Sequence, residues 1–324
     1  MTLGPDRGKP VEPAAPERHR ASSAALLLDR RAGRGRFVRD LPIIEELLRS
    51  RSIRSRVFLA DGASDLVAMT RRAIDEGATF LVAVGDVATT NGVLNGMMED
   101  DRPRNDDLVL GILAANSGND IVRTFGLTQD PATAIERIHD GLVYAVDVGK
   151  ASAVEDRTGL ETTRYFLNMA QAGLGGAAIR RTARLPGGLG RAGSFLGFWL
   201  ALAAFRRPRI KLDGDRRNFE GSATNVMVAN LQFGGHGLRL SPRSWPEDGY
   251  FDLQVFTGPK SDSFTLLPKM FRGEHLPHPN ILEYRSTRVR IEADRPVFVE
   301  VDGVPLGTTP ATFQVVPRAL RLKV

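Results

Sequence analysis

The chain has 324 residues, of which 42% are hydrophobic and 25% charged, which excludes a fibre or a wholly disordered chain and suggests about two domains at roughly 150 residues each. It has no cysteine, which excludes disulfides, thiolate metal sites and a cysteine nucleophile. The formal net charge is +6, but the cations are mostly arginines scattered in pairs, so we expect no nucleic-acid partner.

Residues 1–22 hold four prolines, mixed charge and few apolar side chains. This composition predicts a disordered tail, and it lacks the apolar stretch of a signal peptide. No run reaches the 18 apolar residues typical of a membrane span. The longest, residues 193–205, predicts either a buried helix or a helix that touches lipid at the mouth of a site.

From residue 23 to about 150, short apolar runs alternate with amphipathic stretches. This alternation predicts right-handed βαβ units and therefore an α/β domain with a mainly parallel sheet. In such a sheet the ligand binds at the carboxyl ends of the strands. The predicted strands are 24–28, 56–59, 80–84 and 108–113, and the predicted helices are 41–49, 64–76 and 90–98.

From residue 151 to 311, short alternating segments separated by Gly, Pro and Asp predict a β-rich, mainly antiparallel second domain with a few helices. The last segments, from about residue 312 to 324, also have strand character. The predicted strands are 164–168, 209–212, 224–230, 251–256, 287–293, 297–301, 312–316 and 319–324.

Three turns that follow predicted strands are rich in small and polar residues: 84–96, 113–120 and 301–307. Small residues between a strand and a helix let backbone amides approach a phosphate group, and the helix dipole favours its charge. Each turn alone is a weak signal, because similar turns occur in folds that bind no phosphate.

The three turns together, in this order, resemble the diacylglycerol kinase catalytic-domain family, which includes bacterial lipid kinases and sphingosine kinases. The resemblance extends over residues 24–324 and is strongest at 166–176 (FLNMAQAGLGG), 230–242 (NLQFGGHGLRLSP), 247–255 (EDGYFDLQV) and 301–316 (VDGVPLGTTPATFQVV). It implies an N-terminal α/β nucleotide-binding domain similar to NAD kinase and phosphofructokinase. It also implies a β-rich lipid-binding domain and a last strand that returns to the first domain.

The same resemblance implies site residues and cofactors. Asp302 occupies the position of the family's general base, and the cofactors would be ATP and Mg²⁺. Asp248, with the carbonyls of Trp245 and Tyr250, matches the position at which relatives hold a structural cation. The nucleotide-binding residues implied are Gly33, Gly85, Asp86, Ala88, Thr89, Asn91, Ser117, Asn119 and Asp120.

Several positions depart from the family pattern. The Gly-Gly-Asp-Gly-Thr turn is here Gly85-Asp86-Val87-Ala88-Thr89, in which Asp86 takes the acidic role only if the turn is one residue longer. The glutamate of the following helix is Gly92, and the glutamate of the Asp-Gly-Glu motif is Val304. Loss of one transition-state donor or metal ligand costs about a hundred- to a thousandfold in rate.

We therefore expect an ATP- and Mg²⁺-dependent lipid kinase that phosphorylates the hydroxyl of a long-chain lipid. The alternative is an impaired or inactive family member that binds lipid, nucleotide or a partner without phosphoryl transfer. A dinucleotide oxidoreductase is excluded, because the first predicted strand lacks the spaced glycines that such enzymes need. We expect a lipid substrate or ligand at the membrane surface, with a homodimer as one assembly of the chain. We also expect the chain to be cytoplasmic and to meet its lipid at the inner face of the membrane, as a peripheral protein.

Overall fold

The computed structural model describes residues 15–324, with gaps at 115–118, 128–129 and 186–189. The backbone divides into two units. The N-terminal unit comprises the described residues up to Val148 together with Val316–Val324, and the C-terminal unit comprises Gly149–Val315. The chain thus re-enters the N-terminal unit at Val316, close to the predicted return at about residue 312.

The N-terminal unit alternates strands with helices. In chain order its elements are β1 (Glu17–Arg18), β2 (Ser23–Asp29), a 3-10 turn (Ala32–Gly35), α1 (Arg36–Ser50), β3 (Arg54–Ala60), α2 (Ala63–Asp75), β4 (Phe80–Val84), α3 (Val87–Met97), β5 (Met98–Glu99), β6 (Arg102–Pro103), β7 (Val109–Leu113), α4 (Asp120–Thr124) and α5 (Pro131–Asp140).

The sheet of this unit is parallel, with the strand order β7-β4-β2-β3. Its central strands β4 and β7 are buried along their whole length, as parallel strands covered on both faces require. The core joins sheet residues such as Leu26 and Val82 to Ile44 and Leu48 of α1. The predicted α/β class is confirmed.

The predicted tail ends earlier than residue 22. Residues 1–14 lie outside the described residues, but Glu17–Arg18 pairs as β1 with Val143 and Leu142. Arg321 donates to the Glu17 carboxylate at 2.9 Å, and Ala21 is buried. The prediction of a tail is therefore wrong for these residues, because backbone pairing supplies order that their composition does not.

The C-terminal unit is mainly antiparallel. It contains the second part of β8 (Leu142–Val154), from Gly149 onwards, then β9 (Glu161–Phe166), β10 (Met169–Gly173), α6 (Leu174–Thr182), α7 (Gly190–Ala204), β11 (Arg209–Gly214), β12 (Asn218–Ser222), β13 (Asn225–Ala229), β14 (Phe251–Phe256), α8 (Asp262–Arg272), β15 (Ile281–Ser286), β16 (Arg288–Ala293), β17 (Phe298–Val301) and most of β18 (Val304–Lys323).

Strands β15, β14, β13, β10, β17 and β18 are neighbours in that order, each pair antiparallel. The core of the unit collects alternating residues from these strands and from β11 and β16. Phe166 is at its centre, stacked on Phe251 with ring centroids 5.4 Å apart and edge-on to Phe313 at 6.5 Å. The predicted β-rich, antiparallel class is confirmed.

The apolar run at residues 193–205 lies in α7. Phe195, Leu196 and Leu200 are exposed whereas Ala201 and Leu202 are buried, so the helix is only partly buried, and its contact with lipid stays a prediction. Within the described ranges, no helix is long and apolar enough to cross a membrane.

Candidate functional site

The carboxyl ends of β2, β4 and β7 lie at one edge of the parallel N-terminal sheet. Gly33 follows β2, Gly85 follows β4 and Asn119 follows β7. The Gly85 amide donates to the Leu113 carbonyl at 3.0 Å, so the ends of β4 and β7 are directly joined. We call Gly85–Thr89 together with Asn119 the strand-end site.

Asp86 begins helix α3 as its N-cap. One carboxylate oxygen, Oδ1, accepts from both the backbone amide and the hydroxyl of Thr89, each at 2.9 Å. Gly85 is required before it, because a Cβ at Gly85 would lie 2.5 Å from the Thr89 hydroxyl oxygen. The turn is therefore tight, and it places the Asp86 carboxylate at the start of α3. An acidic role of Asp86 in a turn one residue longer than the family's stays a prediction.

Asn119 holds two turns together. Its Nδ2 donates to the Gly85 carbonyl at 3.2 Å and to the Thr90 hydroxyl at 3.1 Å, while its Oδ1 accepts from the Ile121 amide at 3.0 Å. The side chain is fully buried. Asn119 thus positions the Gly85 turn rather than presenting its amide to a ligand.

The remaining predicted nucleotide residues fall into different places. Ala88 is half-buried in the first turn of α3. Asn91 is fully buried one turn further on, where its Oδ1 accepts from Asn95 at 3.2 Å. Asp120 is buried beside Arg123 at 3.5 Å, and Ser117 lies outside the described residues.

Gly33 lies in the 3-10 turn after β2, with a left-handed φ of 56°. A Cβ there would approach the Phe37 ring to 2.7 Å. The opening glycine is therefore fixed by its backbone conformation and by the first aromatic side chain of α1. Asp29, the last residue of β2, accepts from the Arg31 amide at 2.9 Å and so shapes the same turn.

In the C-terminal unit, Asp302 lies in the turn between β17 and β18 with a φ of 50°. Its Oδ2 accepts from the Leu167 amide at 2.9 Å, and its Oδ1 accepts from the amides of Asn168 and Met169 at 2.9 and 3.1 Å. The side chain is only 2% exposed. Three backbone donors thus orient the carboxylate and tie its turn to the turn between β9 and β10.

A buried polar network beside Asp302 carried no signal in the sequence. Glu300 accepts from Gln171 Nε2 at 2.9 Å and from the Gly303 amide at 2.8 Å. Gln171 Oε1 accepts from Asn225, whose own Oδ1 accepts from the Gly175 amide at 3.0 Å. Burial raises the pKa of Glu300 to about 8, despite the two donors that lower it.

Asp248, the predicted ligand of a structural cation, is paired with an arginine. Its Oδ1 accepts from the Tyr250 amide at 3.0 Å, and its Oδ2 contacts the guanidinium of Arg285. That guanidinium also lies 4.7 Å from the Tyr250 ring centroid, and the Trp245 side chain is exposed. Arg285 thus supplies a positive charge beside Asp248, and a bound cation there stays a prediction.

Arg285 was missed because its partners come from the register of two strands. It lies opposite Asp252 across β14 and β15, and its Nε is 3.7 Å from Asp252 Oδ1. Burial raises the pKa of Asp252 to about 6 and also raises that of Asp248, while Arg285 opposes both shifts. An arginine 37 residues from Asp248 gives no local sign of this pairing.

Two family models match the chain. The diacylglycerol kinase catalytic domain matches residues 23–151, and the YegS C-terminal NAD kinase beta sandwich-like domain matches residues 168–324. A protein of Klebsiella pneumoniae (strain 342) named "Probable lipid kinase YegS-like" is 26% identical over 294 residues, which cover 90% of this chain and 93% of that protein.

A diacylglycerol kinase of Staphylococcus epidermidis (strain ATCC 12228 / FDA PCI 1200) is 25% identical over 293 residues, 90% of this chain and 88% of its own length. The crystal structure of a diacylglycerol kinase from Bacillus anthracis str. Sterne covers 93% of this chain and 96% of its own, with a TM-score of 0.66 and 20% identity. This likeness shows the fold.

Proposed function

Because the chain belongs to the diacylglycerol kinase catalytic-domain family, we propose that it is a lipid kinase. It transfers a phosphoryl group from a nucleotide to the hydroxyl of a long-chain lipid. The observation that carries the proposal is the strand-end site, where Asn119 fixes the Gly85 turn at the carboxyl ends of β4 and β7. Ligands of parallel α/β sheets bind at this edge.

The nucleotide proposed is ATP with Mg²⁺. The donor set fits, because Mg²⁺ needs only one or two carboxylates in addition to the phosphates of its nucleotide, and Asp86 is half-buried at the start of α3. The ion, when bound, neutralises charge on the transferred phosphoryl group. The backbone of Gly85–Thr89, at the positive end of the α3 dipole, would orient the phosphates.

Asp302 is proposed as the group that accepts the proton of the lipid hydroxyl. Its support is position in the family motif and a carboxylate oriented by three backbone amides. General-base catalysis needs this kind of fixed orientation. The same bonds give Asp302 a structural role, which the variants in the Discussion separate from the chemical one.

Thermal unfolding with and without ATP and Mg²⁺ tests the nucleotide half of the proposal. A ligand at a hundredfold excess over its dissociation constant stabilises the native state by about 2.7 kcal/mol. We expect a Mg²⁺-dependent rise in melting temperature in the wild type and its loss in Asp86→Asn. Asparagine caps helices as well as aspartate does, so this variant removes the charge and keeps the fold.

The chain offers a matched control for this variant. Asp130 caps α5 with the same geometry, since its Oδ2 accepts from the amide and hydroxyl of Thr133 at 2.9 Å each. Asp130→Asn should keep the full response to ATP and Mg²⁺. No response of the wild type at millimolar ATP, or equal losses in both variants, would refute a nucleotide site at Asp86.

A second candidate function is a family member that binds lipid or nucleotide without phosphoryl transfer. It is favoured by Val87 and Val304, which replace acidic residues of the family motifs. A lipid extract incubated with ATP labelled in its γ-phosphate decides between the two. Label in lipid from the wild type supports the kinase. Label that appears only in Val87→Asp or Val304→Glu identifies a kinase whose activity has been lost.

A further inference from the structure

A cavity in the C-terminal unit is lined by five arginines. Its volume is about 370 Å³, within the range of small-molecule sites. The arginines come from three separate parts of the chain. Arg180, Arg181 and Arg184 lie at the end of α6 and just after it, Arg206 follows α7, and Arg295 lies between β16 and β17. We call it the arginine cavity.

The charge of the arginine cavity is not balanced by its own walls. No acidic side chain lines it among the described residues. Arg180 pairs with Asp156, and Arg295 lies 4.0 Å from Asp294. The other three arginines, Arg181, Arg184 and Arg206, form no ion pair within the described ranges. The dipole at the C-terminus of α6 favours the positive charges of Arg181 and Arg184.

The floor of the arginine cavity is apolar. It includes Ala201 of α7 and Phe205, which follows α7. It also includes Val297 and Phe298, the first residue of β17. The Arg180 guanidinium stacks on the Phe298 ring, 4.2 Å from its centroid. A cationic rim over an apolar floor fits a ligand with an anionic head and an apolar body. An inorganic anion would use only the rim.

An exposed apolar stripe of α7 leads to the same cavity. Leu196, Leu200 and Ala204 are spaced four residues apart, so they lie on one face of the helix. Leu196 and Leu200 are 42% and 41% exposed, and Ala204 lines the cavity. The stripe therefore offers a continuous path for an acyl chain whose head lies among the arginines.

A neighbouring cavity provides an internal contrast. It has a volume of about 210 Å³ and shares Arg180 and Phe298, but Glu155 and Asp156 line it as well. Arg157 lines it too, so the two carboxylates balance the charge of its two arginines. The anionic preference thus belongs to the arginine cavity and is not a general property of this side of the unit.

From this geometry we propose that the arginine cavity binds the phosphate monoester headgroup of a bilayer lipid, with the lipid body against the stripe Leu196–Leu200–Ala204. Guanidinium groups bind phosphate oxygens through paired N–H donors, and a monoester offers three such oxygens. The site shares no residue with the strand-end site and requires no phosphoryl transfer, so its test is independent of the kinase activity.

Sedimentation of the full chain with vesicles tests the proposal. One set contains phosphatidylcholine alone, a second adds phosphatidate, and a third adds phosphatidylglycerol at matched surface charge. We expect the wild type to favour phosphatidate over both. Arg181→Ala/Arg184→Ala/Arg206→Ala should weaken phosphatidate binding about a hundredfold, since each arginine near an anionic surface contributes about 1 kcal/mol.

The control removes three exposed arginines that line neither cavity: Arg54→Ala/Arg71→Ala/Arg288→Ala. Equal losses in the two triple variants, or equal binding to phosphatidylglycerol, would overturn the proposal in favour of general charge attraction. Full competition by millimolar inorganic phosphate would overturn the lipid as the source of the phosphate group.

A second variant covers the case in which the alanine triple fails to fold. Arg181→Lys/Arg184→Lys/Arg206→Lys keeps the charge but loses the planar pair of donors. It should keep binding to phosphatidylglycerol vesicles and lose the preference for phosphatidate. An unchanged preference would overturn recognition of the monoester.

Discussion

Gly92 of α3 lies against the side chain of Leu66 of α2, so that a Cβ at position 92 would come within 2.7 Å of Leu66 Cδ2. The resemblance to the family implies a glutamate at this position. The exchange therefore accompanies a close approach of two helices, which Gly96 against Thr70 extends by one turn. The missing acid is a packing feature of this chain, and its restoration would separate α2 from α3.

We expect Gly92→Ala to lower the free energy of unfolding by about 1 to 3 kcal/mol, the usual cost of overpacking, although alanine favours a helix. The same change in a Leu66→Ala background should cost much less, because the clashing methyl group is absent. Urea unfolding of the four proteins measures this coupling. Equal losses of unfolding free energy in both backgrounds would show that the Leu66 side chain does not restrict the size of the residue at position 92.

Asp302→Asn tests the double role of Asp302. Asparagine tolerates the left-handed backbone, but it sets an N–H₂ group against one of the three amides. The buried donor left unpaired should cost about 1 to 3 kcal/mol of unfolding free energy. If Asp302 is the base, turnover should fall a further 10² to 10⁴ fold, and the acid limb of the pH–rate profile should disappear.

Asn230→Ala is the control for that variant. Asn230 Nδ2 donates to the Leu167 carbonyl at 2.8 Å, so it supports the same turn through a carbonyl, whereas Asp302 supports it through amides. We expect a comparable loss of stability with turnover retained. Turnover that falls in proportion to stability in both variants would assign Asp302 a structural role alone.

The sequence was sufficient for the parallel sheet, because β4 is an unbroken apolar run with the bounds predicted. It was misleading for β18. Pro317 and Arg318 predicted a break between two strands, yet the strand continues because Asp147 accepts from the Arg318 amide at 2.8 Å, where Arg318 has a φ of 50°. A partner 171 residues away is invisible to local patterning.

The candidate site shows the same division. Gly85 and Asn119 could be located at the edge of the sheet, because three turns rich in small and polar residues follow predicted strands in the order of the family pattern. The roles of the side chains could not be predicted, because they depend on tertiary partners. Asn119 bridges two turns, and Arg285 stands where a cation was expected at Asp248.

The Arg285 pairing predicts that the wild type needs no structural metal at Asp248. EDTA should leave its melting temperature unchanged. Arg285→Met should lower the free energy of unfolding by about 3 to 5 kcal/mol at neutral pH, because Asp248 and Asp252 remain buried without a positively charged partner. Mg²⁺ or Ca²⁺ should then stabilise the variant but not the wild type, as scanning calorimetry would show.

Arg243→Met is the matched control. Arg243 forms an ion pair with Glu283 at 2.7 Å that is more exposed than the Arg285 pair, and Glu283 lies on β15 together with Arg285. This variant should lower the free energy of unfolding by less than about 1 kcal/mol, and Mg²⁺ or Ca²⁺ should not stabilise it. A wild type that EDTA destabilises, or that binds one equivalent of Mg²⁺ without nucleotide, would restore the cation at Asp248.

Glu300 should make stability fall as the pH rises. Its pKa is raised by burial from 4.5 to about 8, so between these values the folded chain keeps a proton that the unfolded chain releases. The contribution is complete below pH 4.5 and is lost as the pH rises through 8, at no more than about 1.4 kcal/mol per pH unit.

Urea unfolding between pH 6.5 and 7.5 measures this slope, because the range lies above the pKa of Asp252, about 6, and below that of Lys323, about 8. Glu300→Gln should flatten the slope there, whereas Glu220→Gln, an exposed change on β12, should not. Equal slopes in the wild type and Glu300→Gln would mean that Glu300 is already ionised in the folded chain and that Gln171 and Gly303 outweigh its burial.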